Sequence, residues 1–287
     1  MDGLAEPAYA KINLTLDITG RREDGYHTLR SVLQSISLCD RVFLFSAESG
    51  TVTVECDAAD VPCGAENTVL RAAGAFFRRS GVCGGARFKI QKRIPRRAGL
   101  GGGSTDAAAA LRLLNRFFGA RLSARELRKI GLEAGADVPF CVEGGAALAE
   151  GVGELLRPLP GLPPCTLVIC KPEAGVPTAE AYAAFDRSGR PGDVFTGAML
   201  QALRAGALSA VASRLGNAFE SVCGLPEVRG VRDRLLACGA LGACMTGSGS
   251  AVFGLFDSEC RASRCANALR AEYPVCFLCR PVGRICV

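Results

Sequence analysis

Apolar and polar residues alternate from Ala8 to Asp17, with Ala8, Ala10, Ile12, Leu14 and Leu16 on one side and Tyr9, Lys11, Asn13, Thr15 and Asp17 on the other. A period of two is that of a β-strand. Positions 21–25 supply a polar turn ahead of Tyr26 and His27, and further strands are predicted over 41–46, 51–56 and 87–91. Asn67 precedes a helical pattern over 69–78.

From Pro95 the chain runs through Gly99, Gly101, Gly102 and Gly103 into Ser104, Thr105 and Asp106, which read as helix-start residues for an alanine- and leucine-rich helix stopped at Gly119. Ser123 and Glu126 have the spacing of a capping box. The helix they open should end near Gly135 and deliver Asp137 into a turn fixed by Pro139, followed by a strand pair over 140–149. Beyond a proline- and glycine-rich stretch at 158–164, strands are predicted at 166–170, 243–246, 251–256 and 275–278. Helices are predicted at 194–203, 208–223, 228–237 and 262–272, and Thr178 reads as the cap of a short helix. This is an α+β pattern without internal repeats.

A chain of 287 residues exceeds what one hydrophobic core usually organises. Two lobes are therefore expected, residues 1–157 and 158–287, joined at the proline-rich stretch, with one large domain as the alternative. An apolar fraction of 49% with 22% charged residues excludes long disordered or collagen-like segments. The net charge of +6 comes from 34 basic residues interleaved with 28 acidic ones, so no nucleic-acid footprint is predicted. No run near ~20 apolar residues lacks charges or helix breakers, which predicts no membrane span. Asp2 and Glu6 precede Lys11, unlike a secretory signal, so cytosolic residence is expected. Fifteen cysteines, an odd number scattered among apolar positions, read as reduced thiols buried as small hydrophobes. The CxxC pair Cys276 and Cys279 has no second pair to complete a closed zinc site, and His27 is the single histidine; no metal-binding residues are assigned.

Backbone N–H groups of a glycine loop that feeds a helix N-terminus form a concavity for anionic oxygens, because absent side chains allow close approach and the helix dipole favours negative charge. No lysine precedes Ser104, so the loop is not a Walker A motif, and its glycine spacing does not fit a dinucleotide fingerprint. A flexible surface turn is the plain alternative. The loop from Thr246 to Ser250 approaches the same ligand or is simply a hairpin turn. The chain has five lysines (11, 89, 92, 129 and 171), and one amid a strand of apolar residues needs an anionic partner if it is buried. Lys11 is therefore a candidate functional residue, with an exposed strand face as its alternative. Asp137 reads equally as a turn-former. Tyr26 beside His27 suits stacking and edge recognition of a base, or packing in the core.

Together the segments AYAKINLTLDITGRREDGYHTL, PRRAGLGGGSTDAAAAL, GADVPFCVEGGAALAEGVGE and MTGSGSAVFGLF resemble the GHMP kinase superfamily of small-molecule kinases, over nearly the whole chain. Within it they are most similar to the kinases acting on a cytidine-diphosphate-linked methylerythritol in the non-mevalonate isoprenoid route. The resemblance implies a two-lobed fold, with a first lobe like a small-subunit ribosomal protein and a ferredoxin-like second lobe. It implies ATP as co-substrate, Mg²⁺ carried mainly by the nucleotide phosphates, and transfer to the substrate 2-hydroxyl. Lys11 and Asp137 match the family's catalytic pair. Pro95, Arg96, Arg97, Ala98, Gly99, Leu100, Gly101, Gly102, Gly103, Ser104 and Thr105 match its ATP-phosphate loop, with Asn67 on the nucleotide side. Tyr26 and His27 match the cytosine-recognition positions, Tyr182 the aromatic closing the other side of the base, and Asn13 and Thr178 further substrate contacts. Ser104-Thr105 stands where the family usually has two serines, and Arg96-Arg97 replaces smaller residues. Another kinase of the superfamily, and a catalytically silent ligand sensor on the same fold, are the alternatives. The small-molecule substrate and ATP are the partners expected, and no oligomeric state is legible.

Overall fold

The computed structural model describes residues 3–189 and 194–287. Its first sheet is built on two long strands, β1 (Leu4–Arg21) and β2 (His27–Ala47), paired antiparallel along their length around the polar turn. β3 (Val52–Cys56) follows, and the chain then enters α1 (Thr68–Ser80), whose N-cap Asn67 accepts a hydrogen bond from the Val69 N–H. β4 (Gly85–Gln91) lies between β2 and β3. Next come α2 (Gly102–Phe117) and α3 (Ala124–Leu132), the second opened by the expected capping box of Ser123 and Glu126. α4 (Val138–Glu143) leads to the hairpin of β5 (Ala146–Gly151) and β6 (Leu155–Pro158), and β5 pairs with the 29–34 part of β2.

The second sheet is antiparallel. β7 (Thr166–Lys171) is followed by α5 (Thr178–Ser188), α6 (Thr196–Ala205) and α7 (Leu208–Ala212). The two-residue β8 (Gly216–Asn217) returns to the first sheet beside β1 and leads into a 3₁₀ turn, Ala218–Ser221. α8 (Pro226–Ala237), β9 (Gly242–Met245), β10 (Val252–Phe256), α9 (Glu259–Arg270) and β11 (Val275–Cys279) complete it, in the strand order β11-β7-β10-β9. The fold is thus α+β and two-lobed, as expected.

Three apolar cores support it. One packs α1 and α2 on the first sheet around Phe76, Phe88 and Leu111. Another packs α8 and α9 on the second sheet around Phe256, Val231 and Leu269. The third joins the lobes, with Ile12 and Leu100 of one meeting Ile169 and Phe253 of the other. Each such side chain contributes about 1.5–3 kcal/mol relative to exposure. The polar residues of β1 are buried too: Lys11 and Asn13 lie under the cleft, while Thr15 bonds Thr196 and Asp17 accepts from the Phe195 and Thr196 N–H groups at the start of α6. The last residues tie back to the first lobe, through Ser37 N–H to the Arg280 carbonyl and Ile285 N–H to the Glu143 carbonyl.

Four expectations are corrected. Phe140 lies in α4, because Pro139 opens a helix instead of fixing a turn into a strand; its φ is preset for a first turn. The stretch 208–223 breaks after α7, where Asn217 is drawn into the sheet and donates to the Met245 and Gly247 carbonyls. α2 begins at Gly102, not at Ser104, since Gly101 takes the left-handed conformation (φ 72°) that starts it. Thr178 is the first residue of α5, not its cap. The thiols of Cys276 and Cys279 lie on a strand at a spacing of three, so they face different cores.

A buried charge network anchors the stretch that leads to the glycine loop. Asp40, fully buried, accepts from the Arg93 and Ile94 N–H groups (2.5 and 2.8 Å) and from Lys92 Nζ (2.5 Å), which also donates to Asp106 at 2.7 Å. Burial opposes the charge on Lys92, but Asp106 and Asp40 outweigh it and raise its pKa. Burial, aided by the charge of Asp40, lifts Asp106 from 3.8 to about 7 against the pull of Lys92. A carboxyl that binds its proton more tightly folded than unfolded stabilises most below its unfolded pKa, and that contribution is lost as pH rises through the folded one. Asp106→Asn should therefore remove a decline of stability between pH ~4 and ~7, measured as wild type minus variant in urea melts. An unchanged difference across that window would contradict the shift.

Candidate active site

A cleft of about 1010 Å³ opens between the lobes, at the upper end of the range typical of small-ligand pockets. Its floor comes from β1 and from the turn before α4. Lys11 Nζ donates to Asn13 Oδ1 (2.8 Å) and stands 3.5 Å from Asp137 Oδ2. The lysine side chain is 6% exposed and the aspartate 40%, so the carboxylate faces the cleft while the ammonium lies beneath it. Asp137 occupies the N-cap position of α4 without capping it, which leaves the carboxylate available. Asn13 in turn donates to Ser31 Oγ (2.8 Å), whose hydroxyl donates to the Thr15 carbonyl. An ammonium in such a place is held by a carboxylate and an amide oxygen because burial without them would cost several kcal/mol.

One wall is the glycine loop. Lys11 N–H donates to the Leu100 carbonyl (3.1 Å), tying the loop to β1. A Cβ on Gly99 would fall 1.9 Å from the Thr246 carbonyl oxygen, so that position requires glycine for close approach as well as for positive φ, while at Gly101, packed beside the Lys11 side chain, the positive φ is what favours glycine. Thr246 knots the two lobes here. Its hydroxyl accepts from the Asn13 N–H (3.0 Å) and lies 3.2 Å from the Gly99 carbonyl. The loop after β9 therefore packs on the glycine loop, and its Gly247 and Ser248 line the cleft. The first N–H groups of α2 have no carbonyl a turn earlier within the helix and are available to anionic oxygens.

The opposite wall is aromatic. Tyr26 is 67% exposed at the turn before β2 and stacks on no other ring among the described residues. His27 lies against Tyr182 of α5, ring centroids 4.6 Å apart and planes 20° from parallel, and Tyr182 meets Phe219 edge-on. Burial, then the charge of Asp137, pushes the Tyr182 hydroxyl up to about 12. Thr178 shares a hydrogen bond with Ser248 (3.1 Å) across the cleft mouth.

Lys11, Asn13, Tyr26, His27, Asp137, Thr178 and Tyr182 all line this one cleft, together with Pro95, Arg96, Arg97, Ala98, Gly99, Leu100, Gly101, Gly102, Gly103 and Ser104. Two sequence-derived candidates do not. Thr105 is buried and its hydroxyl turns back to the Gly102 carbonyl (2.8 Å). Asn67 is spent on capping α1 and on the Pro62 carbonyl; its neighbour Thr68 lines the cleft instead and donates to the Gly103 carbonyl (2.7 Å). Lys92 and Asp186 also line the cleft, neither of them a candidate on sequence grounds. Lysine scarcity was a signal for the first; no pattern marks the second. Among the described residues no three histidine, cysteine, aspartate or glutamate side chains gather to hold a metal ion, and no helix is long and apolar enough to cross a membrane.

Comparison with known proteins agrees with this geometry. Residues 67–145 match the GHMP kinases N-terminal domain and residues 199–275 the GHMP kinases C-terminal domain. The 4-diphosphocytidyl-2-C-methyl-D-erythritol kinase of Desulfitobacterium hafniense strain Y51 is 46% identical over 92% of this chain and 90% of its own length. The kinase of the same name from Moorella thermoacetica is 45% identical over 98% of this chain and 99% of its own. A crystal structure of 4-(cytidine 5'-diphospho)-2C-methyl-D-erythritol kinase superposes with a TM-score of 0.81 at 37% identity, covering 98% of this chain and all of that one. The chain belongs to the GHMP kinases and, within them, to the family of 4-diphosphocytidyl-2-C-methyl-D-erythritol kinases.

Proposed function

We propose that this protein uses ATP to phosphorylate the 2-hydroxyl of 4-diphosphocytidyl-2-C-methyl-D-erythritol, giving the 2-phosphate and ADP, in the non-mevalonate route to isoprenoid precursors. The observation that carries this reading is the Lys11–Asp137 pair on the floor of the cleft, 3.5 Å apart, with an anion-binding loop on one side and an aromatic wall on the other. Phosphoryl transfer asks little covalent chemistry of a protein, and rate comes from positioning and charge stabilisation. Asp137 accepts the proton of the attacking hydroxyl. Lys11, held by Asn13, steadies that carboxylate and the charge on the transferred group. The N–H groups of Gly102, Gly103 and Ser104 receive phosphate oxygens, and Arg96 and Arg97 add positive charge at the rim.

Magnesium fits this site as a companion of the nucleotide. Among the described residues lining the cleft the carboxylates are Asp137 and Asp186, and Asp186 is engaged by His27 and Arg21, which suits an ion held mainly by phosphate oxygens and water. When bound it neutralises charge on the phosphates. Tyr26 offers an exposed ring face for the cytosine, His27 a hydrogen-bonding edge, and Asn13 and Thr178 polar contacts to the rest of the substrate. Residues 1–157 then carry the phosphate loop and both charged groups, while residues 158–287 supply Thr178, Tyr182 and the loop bearing Ser248.

Two measurements test this. In a coupled ADP-release assay, turnover should be seen with the cytidyl-diphosphate substrate and not with methylerythritol phosphate or mevalonate; comparable rates on mevalonate would refute the narrow assignment. Asp137→Asn should lower kcat by roughly a hundredfold or more while leaving ATP affinity and melting behaviour near wild type. Near-normal turnover in that variant would remove Asp137 from the role of base.

A further inference from the structure

His27 hydrogen-bonds a carboxylate that the substrate reading leaves unused. Its Nε2 lies 2.7 Å from Asp186 Oδ1, and the other carboxylate oxygen of Asp186 is 3.3 Å from Arg21 Nη1. Asp186 sits one turn beyond Tyr182 on α5, so a single helix face covers the imidazole ring and grips its edge. Arg21 is paired in register with His27 across the hairpin of β1 and β2, which brings the guanidinium to the same carboxylate. The imidazole is 8% exposed and held on two sides.

We infer that Asp186 is a specificity-determining positioning residue: it fixes the tautomer of His27 and thereby makes the cleft read cytosine in preference to uracil. The inference rests on the proposed reception of the base by Tyr26 and His27. An ionised carboxylate only accepts hydrogen bonds, so the hydrogen lies on Nε2. Neutral imidazole then presents Nδ1 as a lone pair, and no group among the described residues hydrogen-bonds that atom. A lone pair receives the exocyclic amine of cytosine and opposes the carbonyl oxygen that uracil carries at the same position. The carboxylate thus supplies attraction for one base and repulsion for the other, without touching either. Removing Asp186 frees the proton to reside on either nitrogen, and the edge then accommodates both bases.

His27 is the only histidine in the chain, so its ring nitrogens give an unambiguous ¹⁵N spectrum in the intact protein. The wild type should show the Nε2–H tautomer and bind cytidine diphosphate more tightly than uridine diphosphate. Asp186→Ala should show Nδ1–H signal and lose about tenfold of that preference, the size of one hydrogen bond in a desolvated site, with the KM for ATP unchanged. Asp186→Asn, whose amide oxygen still accepts from Nε2–H, should keep part of it. An Nδ1–H tautomer in the wild type, or an undiminished cytidine preference in Asp186→Ala, would overturn the inference. A wild type that binds the two nucleotides alike would overturn the base-recognition reading, and this role with it.

Discussion

An ammonium cannot be taken out of water without anionic or strongly polar company, and the placement of Lys11 makes the first lobe satisfy that demand. Its Nζ needs Asn13 Oδ1 and the Asp137 carboxylate at once. β1 must therefore run beneath the cleft, and the turn before α4 must reach it from more than a hundred residues away. The Lys11 N–H adds a hydrogen bond to the Leu100 carbonyl, so one residue places the general-base candidate and the phosphate loop relative to each other. Substituting the side chain and distorting the strand are thus different perturbations with the same destination.

The second lobe is bound into this arrangement through Thr246, whose hydroxyl accepts from Asn13 and reaches the Gly99 carbonyl. The polar knot sits beside an apolar seam of Ile12, Leu100, Ile169 and Phe253. Burial supplies most of the adhesion there, and the directional bonds set the register at which the lobes meet. On the outer side, Asp40 holds the backbone of residues 93 and 94 just ahead of the loop, and Lys92 ties Asp40 to Asp106, just past the first turn of α2. The loop is consequently pinned at both ends before any nucleotide arrives, and little ordering remains to oppose binding.

Much of this was legible in the sequence because local patterns and tertiary demands coincide. The alternation through β1, the Ser123–Glu126 capping box, the Asn67 cap and the glycines ahead of α2 all act over a few residues. What escaped was settled over longer distances. Phe140 and the segment around Asn217 took conformations set by partners elsewhere in the fold. The 27–40 part of β2 carries hydroxyl and charged residues that hide its strand character until β1 and β5 pair with it. Asp40, Lys92 and Asp106 form a triad whose members give no sign of each other in the chain. Thr105 and Asn67 show the converse, since motif position alone does not say whether a side chain faces the ligand or its own backbone.

The most direct test of the central claim is a structure of the protein with a non-hydrolysable ATP analogue and the cytidyl-diphosphate substrate bound together. The account predicts the acceptor 2-hydroxyl at hydrogen-bond distance from the Asp137 carboxylate, about 2.6–3.2 Å, in line with the γ-phosphorus and with Lys11 Nζ beside both. A hydroxyl that points away from Asp137, or a triphosphate bound outside the loop before α2, would contradict it.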